Sequence, residues 1–97
     1  MIQKSFIVQL RKGLHARPSG AIVSFISKLQ LDDAIIEYNG NGHADCRSII
    51  SLMSLAVAYG ETILVIVSGR DEQKAIEFFE SFFSCDESEF YEKFSIQ

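Results

Sequence analysis

The first ten residues alternate between apolar and polar. Ile2, Phe6, Val8 and Leu10 fall on one side of an extended chain, with Gln3, Ser5 and Gln9 on the other; Lys4 and Ile7 break the phase. This predicts a strand over 2–10. The stretch 11–13 then turns the chain. From about residue 16 the period lengthens, and Ile22, Phe25, Ile26 and Leu29 recur at helical spacing. A helix over about 16–29 follows, with Pro18 in its first turn, where a missing N–H costs nothing. The residue before a proline disfavours helical angles, so both Arg17 and His15 stand as candidate caps.

Residues 34–38 (AIIEY) read as a second strand. The NGNG at 39–42 is a hairpin signal, because Asn and Gly tolerate positive φ. A short third strand covers about 43–46. Ser48 is placed as an N-cap before a second helix carrying Ile49, Leu52, Met53 and Ala56, and Gly60 is placed as its end. Residues 61–67 (ETILVIV) are apolar on both faces, as an interior strand requires. SGRDEQ leads into a third helix with acidic residues in its first turn and Ala75, Phe78, Phe79 and Phe82 toward the core. The order β-α-β-β-α-β-α implies an α+β fold: a two-layer open-faced sandwich, with a four-stranded antiparallel sheet and three helices on one face.

Composition narrows the function. Ninety-seven residues with 47% apolar content suit one domain over 1–97, with its core at about 2–85 and a C-terminal extension at 86–97. In that extension Phe90, Tyr91 and Phe94 either lengthen the third helix or fold back as a short amphipathic segment. No apolar run approaches the roughly 18 residues of a membrane span, and the alternating N-terminus does not read as a signal peptide. A net charge of −4 without a basic stripe argues against nucleic acid as a ligand. Cys46 and Cys85 fit no metal or redox spacing and read as small core fillers, so a reducing cytoplasm is the expected setting. No metal or cofactor is expected. His43 reads as a solvated turn residue.

The candidate chemistry lies in GLHARPSG, residues 13–20. A helix start directs backbone N–H groups outward, and with the helix dipole these favour an anion such as phosphate. Arg17 adds planar donors suited to phosphate oxygens. His15 adds a ring nitrogen able to act as a nucleophile near neutral pH. Together they could take a phosphoryl group covalently and hold it at the helix mouth, which requires an accessible neutral imidazole and nearby positive potential. On spacing alone, a histidine at a helix start is equally an ordinary surface residue, and Ser48 equally a plain cap. The functional reading of Ser48 is a regulatory phosphorylation site, since a helix N-terminus accommodates the added charge. Ile49, Ile50 and Met53 span more than one helical face, so at least one must be exposed for a partner to dock on.

GLHARPSG followed about thirty residues later by RSIISLMSLAVAYG resembles the HPr family, the histidine-containing phosphocarriers of the bacterial phosphotransferase system. The resemblance covers about residues 2–85. It implies that His15 takes phosphate on Nδ1 from phospho-enzyme I and passes it to IIA domains of sugar transporters. It further implies that Arg17 contacts the phosphate, that Ala16 and Pro18 form the helix N-terminus, and that Ser48 is phosphorylated from ATP by HPr kinase/phosphorylase. Ile49, Ile50 and Met53 would form the docking patch. The implied protein is a monomeric carrier and not an enzyme, with neither nucleic acid nor a membrane as partner. This chain departs from the family pattern at Ser19 and Gly20, where Ala and a larger residue are usual, and at Ser51, where Gly is usual. Its hairpin is a residue longer, and its C-terminus extends further.

Other readings remain at this point. One is a regulatory HPr-like protein acting mainly through Ser48 on a transcriptional regulator or metabolic enzyme. A variant of it belongs to a nitrogen-related phosphotransferase branch. A third is a small-molecule-binding domain of ferredoxin-like arrangement, which suits the element order but leaves the His15–Arg17–Pro18 and Ser48 strings unexplained.

Overall fold

Residues 1–38 and 42–84 are described in a computed structural model of the chain. The element order is β1 (Ile2–Ile7), α1 (Ala16–Ile26), β2 (Asp33–Tyr38), β3 (Gly42–Asp45), α2 (Ile49–Ser54), β4 (Thr62–Ser68) and α3 (Glu72–Ser84). The expected β-α-β-β-α-β-α order and open antiparallel sheet are present. The spatial order of the strands is β1-β4-β2-β3, antiparallel throughout.

Register explains the sequence pattern. Ala34 pairs with Val67, Ile36 with Val65 and with Ala44 on its other side, so these side chains share the helix-facing side of the sheet. All are buried, with Val8, Leu10, Cys46 and Ile63. β4 lies between two neighbours, and its outward residues Leu64 and Ile66 are themselves half-buried, which accounts for its continuous apolar run. β1 is an edge strand. Its out-of-phase Lys4 points to the inner side at the rim and forms an ion pair with Glu80 of α3, while Ile7 stays 55% exposed.

The helices cover the inner face with apolar stripes. Ile22 and Ile26 of α1 are fully buried, and Phe25 lies at the rim with its ring stacked 4.2 Å from that of Phe78. In α3, Ala75, Ile76, Phe78, Phe79, Phe82 and Phe83 recur every three or four residues and are all buried. Burying one phenylalanine is worth roughly 1.5–3 kcal/mol, so four of them anchor this helix firmly. Among the described residues no helix is long and apolar enough to cross a membrane.

Several expected boundaries move. β1 stops at Ile7, although Val8 N–H still bonds to Glu61 O at 2.9 Å. α1 ends at Ile26, and Lys28 and Leu29 continue it only as a tighter turn, bonding to the carbonyls of Phe25 and Ile26. The second helix does not run to Gly60. It closes at Ser54 because Ala56 enters the left-handed region at φ 55°, a conformation usually left to glycine. Gly60 instead turns the chain into β4 at φ 85°, its N–H bonding to Val8 O at 2.8 Å. The tip of the β2–β3 hairpin at 39–41, Cys85, and the aromatic residues Phe90, Tyr91 and Phe94 lie outside the described residues.

Candidate functional site

Positioning of His15 begins two residues earlier. Gly13 takes φ 69°, and a Cβ there would fall 2.0 Å from the Val57 carbonyl oxygen, so no side chain fits. The close approach lets Leu14 N–H bond to Val57 O at 3.1 Å and buries the Leu14 side chain. Ser19, fully buried, donates its hydroxyl to Leu14 O at 3.3 Å and so ties the first turn of α1 to the loop before it.

The cap is His15, not Arg17. His15 is extended at φ −83° and ψ −168°, and its carbonyl accepts the first helical bond from Ser19 N–H at 3.1 Å. Its side chain makes no capping hydrogen bond, and the residue is half-buried. Ala16 and Arg17 follow as the exposed first residues of the helix. The first turn of an α-helix points its N–H groups out of the helix end; here they belong to Ala16 and Arg17, because Pro18 has none. His15 and Arg17 therefore both belong to the first turn of α1, at the positive end of its dipole, a setting suited to an anion.

α2 packs beside α1. The contact passes through Gly20, where an added Cβ would lie 3.9 Å from Ile49 Cδ1. Ile49, Ile50 and Met53 are 41%, 80% and 43% exposed, so all three face solvent where the spacing required only one. Leu52, on the opposite side of α2, is fully buried. Ser48 is half-buried and caps α2, its Oγ accepting Ser51 N–H at 3.2 Å.

Two anchors of this region were not anticipated. Ser51 accepts Asp45 N–H on its hydroxyl at 3.1 Å. Arg47 reaches back to the carbonyls of Leu31 and Asp32 at 3.3 and 3.5 Å and to Asp45 Oδ1 at 3.4 Å. Nothing in the local sequence marks Arg47 for the two carbonyl bonds, because those acceptors lie about fifteen residues upstream. Gly13 did carry a signal, a glycine placed just ahead of a buried leucine and a helix start. Cys46, fully buried behind this loop, has its thiol pushed up to about 12 by burial and by the Asp45 carboxylate, with Arg47 opposing. That makes it a core residue and not a nucleophile. Among the described residues no group of three His, Cys, Asp or Glu side chains could hold a metal.

Residues 2–84 match the family described as the PTS HPr component phosphorylation site. The HPr-like protein Crh of Halalkalibacterium halodurans is 39% identical over 77 residues, 79% of this chain and 89% of that protein. A crystal structure of HPr from Thermoanaerobacter tengcongensis superposes with a TM-score of 0.80 at 29% identity, covering 93% of this chain and 96% of the other. Crh of Bacillus subtilis, whose crystal structure is a dimer with a swapping domain, superposes with a TM-score of 0.66 at 34% identity, covering 87% and 94%. The chain thus belongs to the HPr family, whose members are phosphocarriers and not catalysts.

Proposed function

We propose that this chain carries a phosphoryl group on His15, receiving it from phospho-enzyme I and delivering it to IIA domains of sugar transporters. The supporting observation is the position of His15 as the cap of α1, two residues before Arg17, on the helix that packs against α2. In each transfer an imidazole nitrogen lone pair of the acceptor attacks phosphorus. The bond from phosphorus to the donor imidazole breaks, and its electron pair returns to that ring. Arg17 and the helix mouth hold the phosphate oxygens while the charge shifts, so the chain contributes positioning and electrostatics and leaves the catalysis to its partners. Ile49, Ile50 and Met53 offer those partners an apolar surface. The working state is a monomer in the cytoplasm.

Ser48 is assigned a regulatory role, with HPr kinase/phosphorylase as the expected enzyme. A phosphate there adds nearly two negative charges beside the docking face. The phosphoserine slows loading of His15 by repelling the incoming phosphohistidine, and in the same state offers a surface to a transcriptional regulator. The relatives named Crh favour a second reading in which this regulatory state is the main one. The imidazole at 15 supports transfer, because its ring nitrogen is chemically able to take the phosphoryl group.

The test incubates the chain with phosphoenolpyruvate and a cognate enzyme I, and maps the label by mass spectrometry under alkaline conditions that preserve phosphohistidine. Label on His15 that disappears in His15→Ala is the expected result. No label on His15 with a competent enzyme I would sink the carrier reading. A parallel reaction with ATP and HPr kinase/phosphorylase should label Ser48. Labelling of Ser48 alone would leave the regulatory reading standing.

A further inference from the structure

Ser19 is the one polar side chain fully buried among the described residues. A hydroxyl held away from water must find its partner within the protein. Serine inside a helix usually returns its hydroxyl to a carbonyl three or four residues back. Ser19 reaches one residue further, to Leu14 O at 3.3 Å. The carbonyl four residues back, that of His15, is engaged by the backbone N–H of Ser19 itself, at 3.1 Å. Leu14 precedes the cap of α1, so its own carbonyl lies outside the helical ladder. A single residue therefore holds two successive carbonyls, one through its side chain and one through its backbone.

These two carbonyls belong to the two peptide groups that flank the Cα of His15. Each peptide group is planar, so φ and ψ of His15 are the rotations of those two planes about that atom. The first plane is held at both ends: Leu14 O accepts from Ser19 Oγ, and His15 N–H donates to Gly13 O at 3.0 Å. The second is held where His15 O accepts from Ser19 N–H. The outcome is the extended conformation of His15, φ −83° and ψ −168°. Those angles set the direction in which the Cα–Cβ bond leaves the backbone. From there the imidazole turns only about χ1 and χ2, in a few preferred positions. The N–H groups of Ala16 and Arg17 belong to the same turn that Ser19 closes. One buried hydroxyl thus ties the carrier of the nucleophile to the helix start that suits an anion.

We infer that Ser19 is a positioning residue for His15: its hydroxyl fixes the Leu14–His15 peptide and so sets the line along which the imidazole meets an incoming phosphoryl group. The inference rests on the carrier reading of His15. Attack on phosphorus requires the nitrogen close to that atom and aligned with the bond that breaks, and small errors of placement are costly in rate. Ser19 is buried and touches no partner. Its hydroxyl therefore acts on the transfer step and not on docking at Ile49, Ile50 and Met53.

The test compares the unsubstituted chain with Ser19→Ala and with Ile22→Val, a fully buried apolar position on the same helix. Alanine suits a helix and keeps the N–H bond to His15 O, so Ser19→Ala removes the hydroxyl alone. Two quantities are measured on each full chain. One is the rate of His15 labelling from phosphoenolpyruvate by enzyme I, as a function of chain concentration. The other is the three-bond coupling between the amide and α protons of His15, which reports its φ. In Ser19→Ala, kcat per folded molecule should fall about three- to tenfold with KM unchanged, and the His15 coupling should change. Ile22→Val should lower stability and leave both quantities as they were. An unchanged coupling or an unchanged kcat in Ser19→Ala would overturn the inference, since the hydroxyl would then serve stability only. A rise in KM with kcat intact would overturn it too, by moving the effect to docking, as would an equal loss of kcat in Ile22→Val. An unsubstituted chain that takes no label would bring down the carrier reading itself, an outcome distinct from a labelled chain that is indifferent to Ser19→Ala.

Discussion

Gly13 shows how one residue can place a functional group it does not touch. The Val57 carbonyl oxygen occupies the position of its missing Cβ, and the positive φ there disfavours any side chain. Gly13→Ala should therefore lose at least about 2 kcal/mol in urea unfolding, and should also slow labelling of His15 by displacing the cap of α1. If stability fell while labelling per folded molecule stayed unchanged, the loop would have no role in presenting the imidazole. The motif around His15 was legible in the sequence because its residues are neighbours along the chain. The part played by Val57 was not, since its carbonyl reaches the loop from 44 residues downstream. Arg47 is a similar case, with acceptors on the α1–β2 connection.

At the scale of elements, one position inside a helix and one just past a helix end carry residues that local energetics would not choose. Gly20 lies inside α1, where an added Cβ would meet Ile49 Cδ1 at an ordinary contact distance of 3.9 Å, and glycine in a helix costs roughly 0.5–1 kcal/mol relative to alanine. Ala56 occupies a left-handed position at φ 55°, which costs an L-residue roughly 1–2 kcal/mol. Gly20→Ala should raise the thermal midpoint, and Ala56→Gly should raise it by about 2–4 °C, the shift expected from roughly 0.5 kcal/mol in a domain of this size. A lowered midpoint in Gly20→Ala would mean that α1 and α2 pack more tightly than 3.9 Å allows. The misplaced end of α2 has the same origin as the second prediction. Glycine is the usual sign of a left-handed cap, so sequence reasoning passed over Ala56 and stopped at Gly60. The element types were legible because each has its own apolar period, and the sheet order was not, because period says nothing about which strand lies beside which.

Across the whole molecule, the buried Cys46 thiol is one group that couples stability to pH. Cys46 is fully buried, and burial holds its pKa at about 12 against an ordinary 9.0. The unfolded chain releases this proton first, so above pH 9 it binds fewer protons than the folded chain and stability falls as pH rises. The contribution is intact below about pH 9 and is lost between roughly pH 9 and 12, at a slope of at most about 1.4 kcal/mol per pH unit. Cys46→Ala should flatten this alkaline limb of the urea midpoint against pH, even though it lowers stability at pH 7. An unchanged limb would locate the alkaline loss elsewhere. By itself the sequence determined the element order, the α+β class, the cap at Ser48 and the cluster of His15, Arg17 and Pro18. These depend on local period, turn chemistry and adjacency, all written along the chain. Only the tertiary structure decided that β4 inserts between β1 and β2, that α2 stops at Ser54, and that Gly20 meets Ile49. Each of these depends on contacts between residues far apart in sequence, where burial and register outweigh local preference.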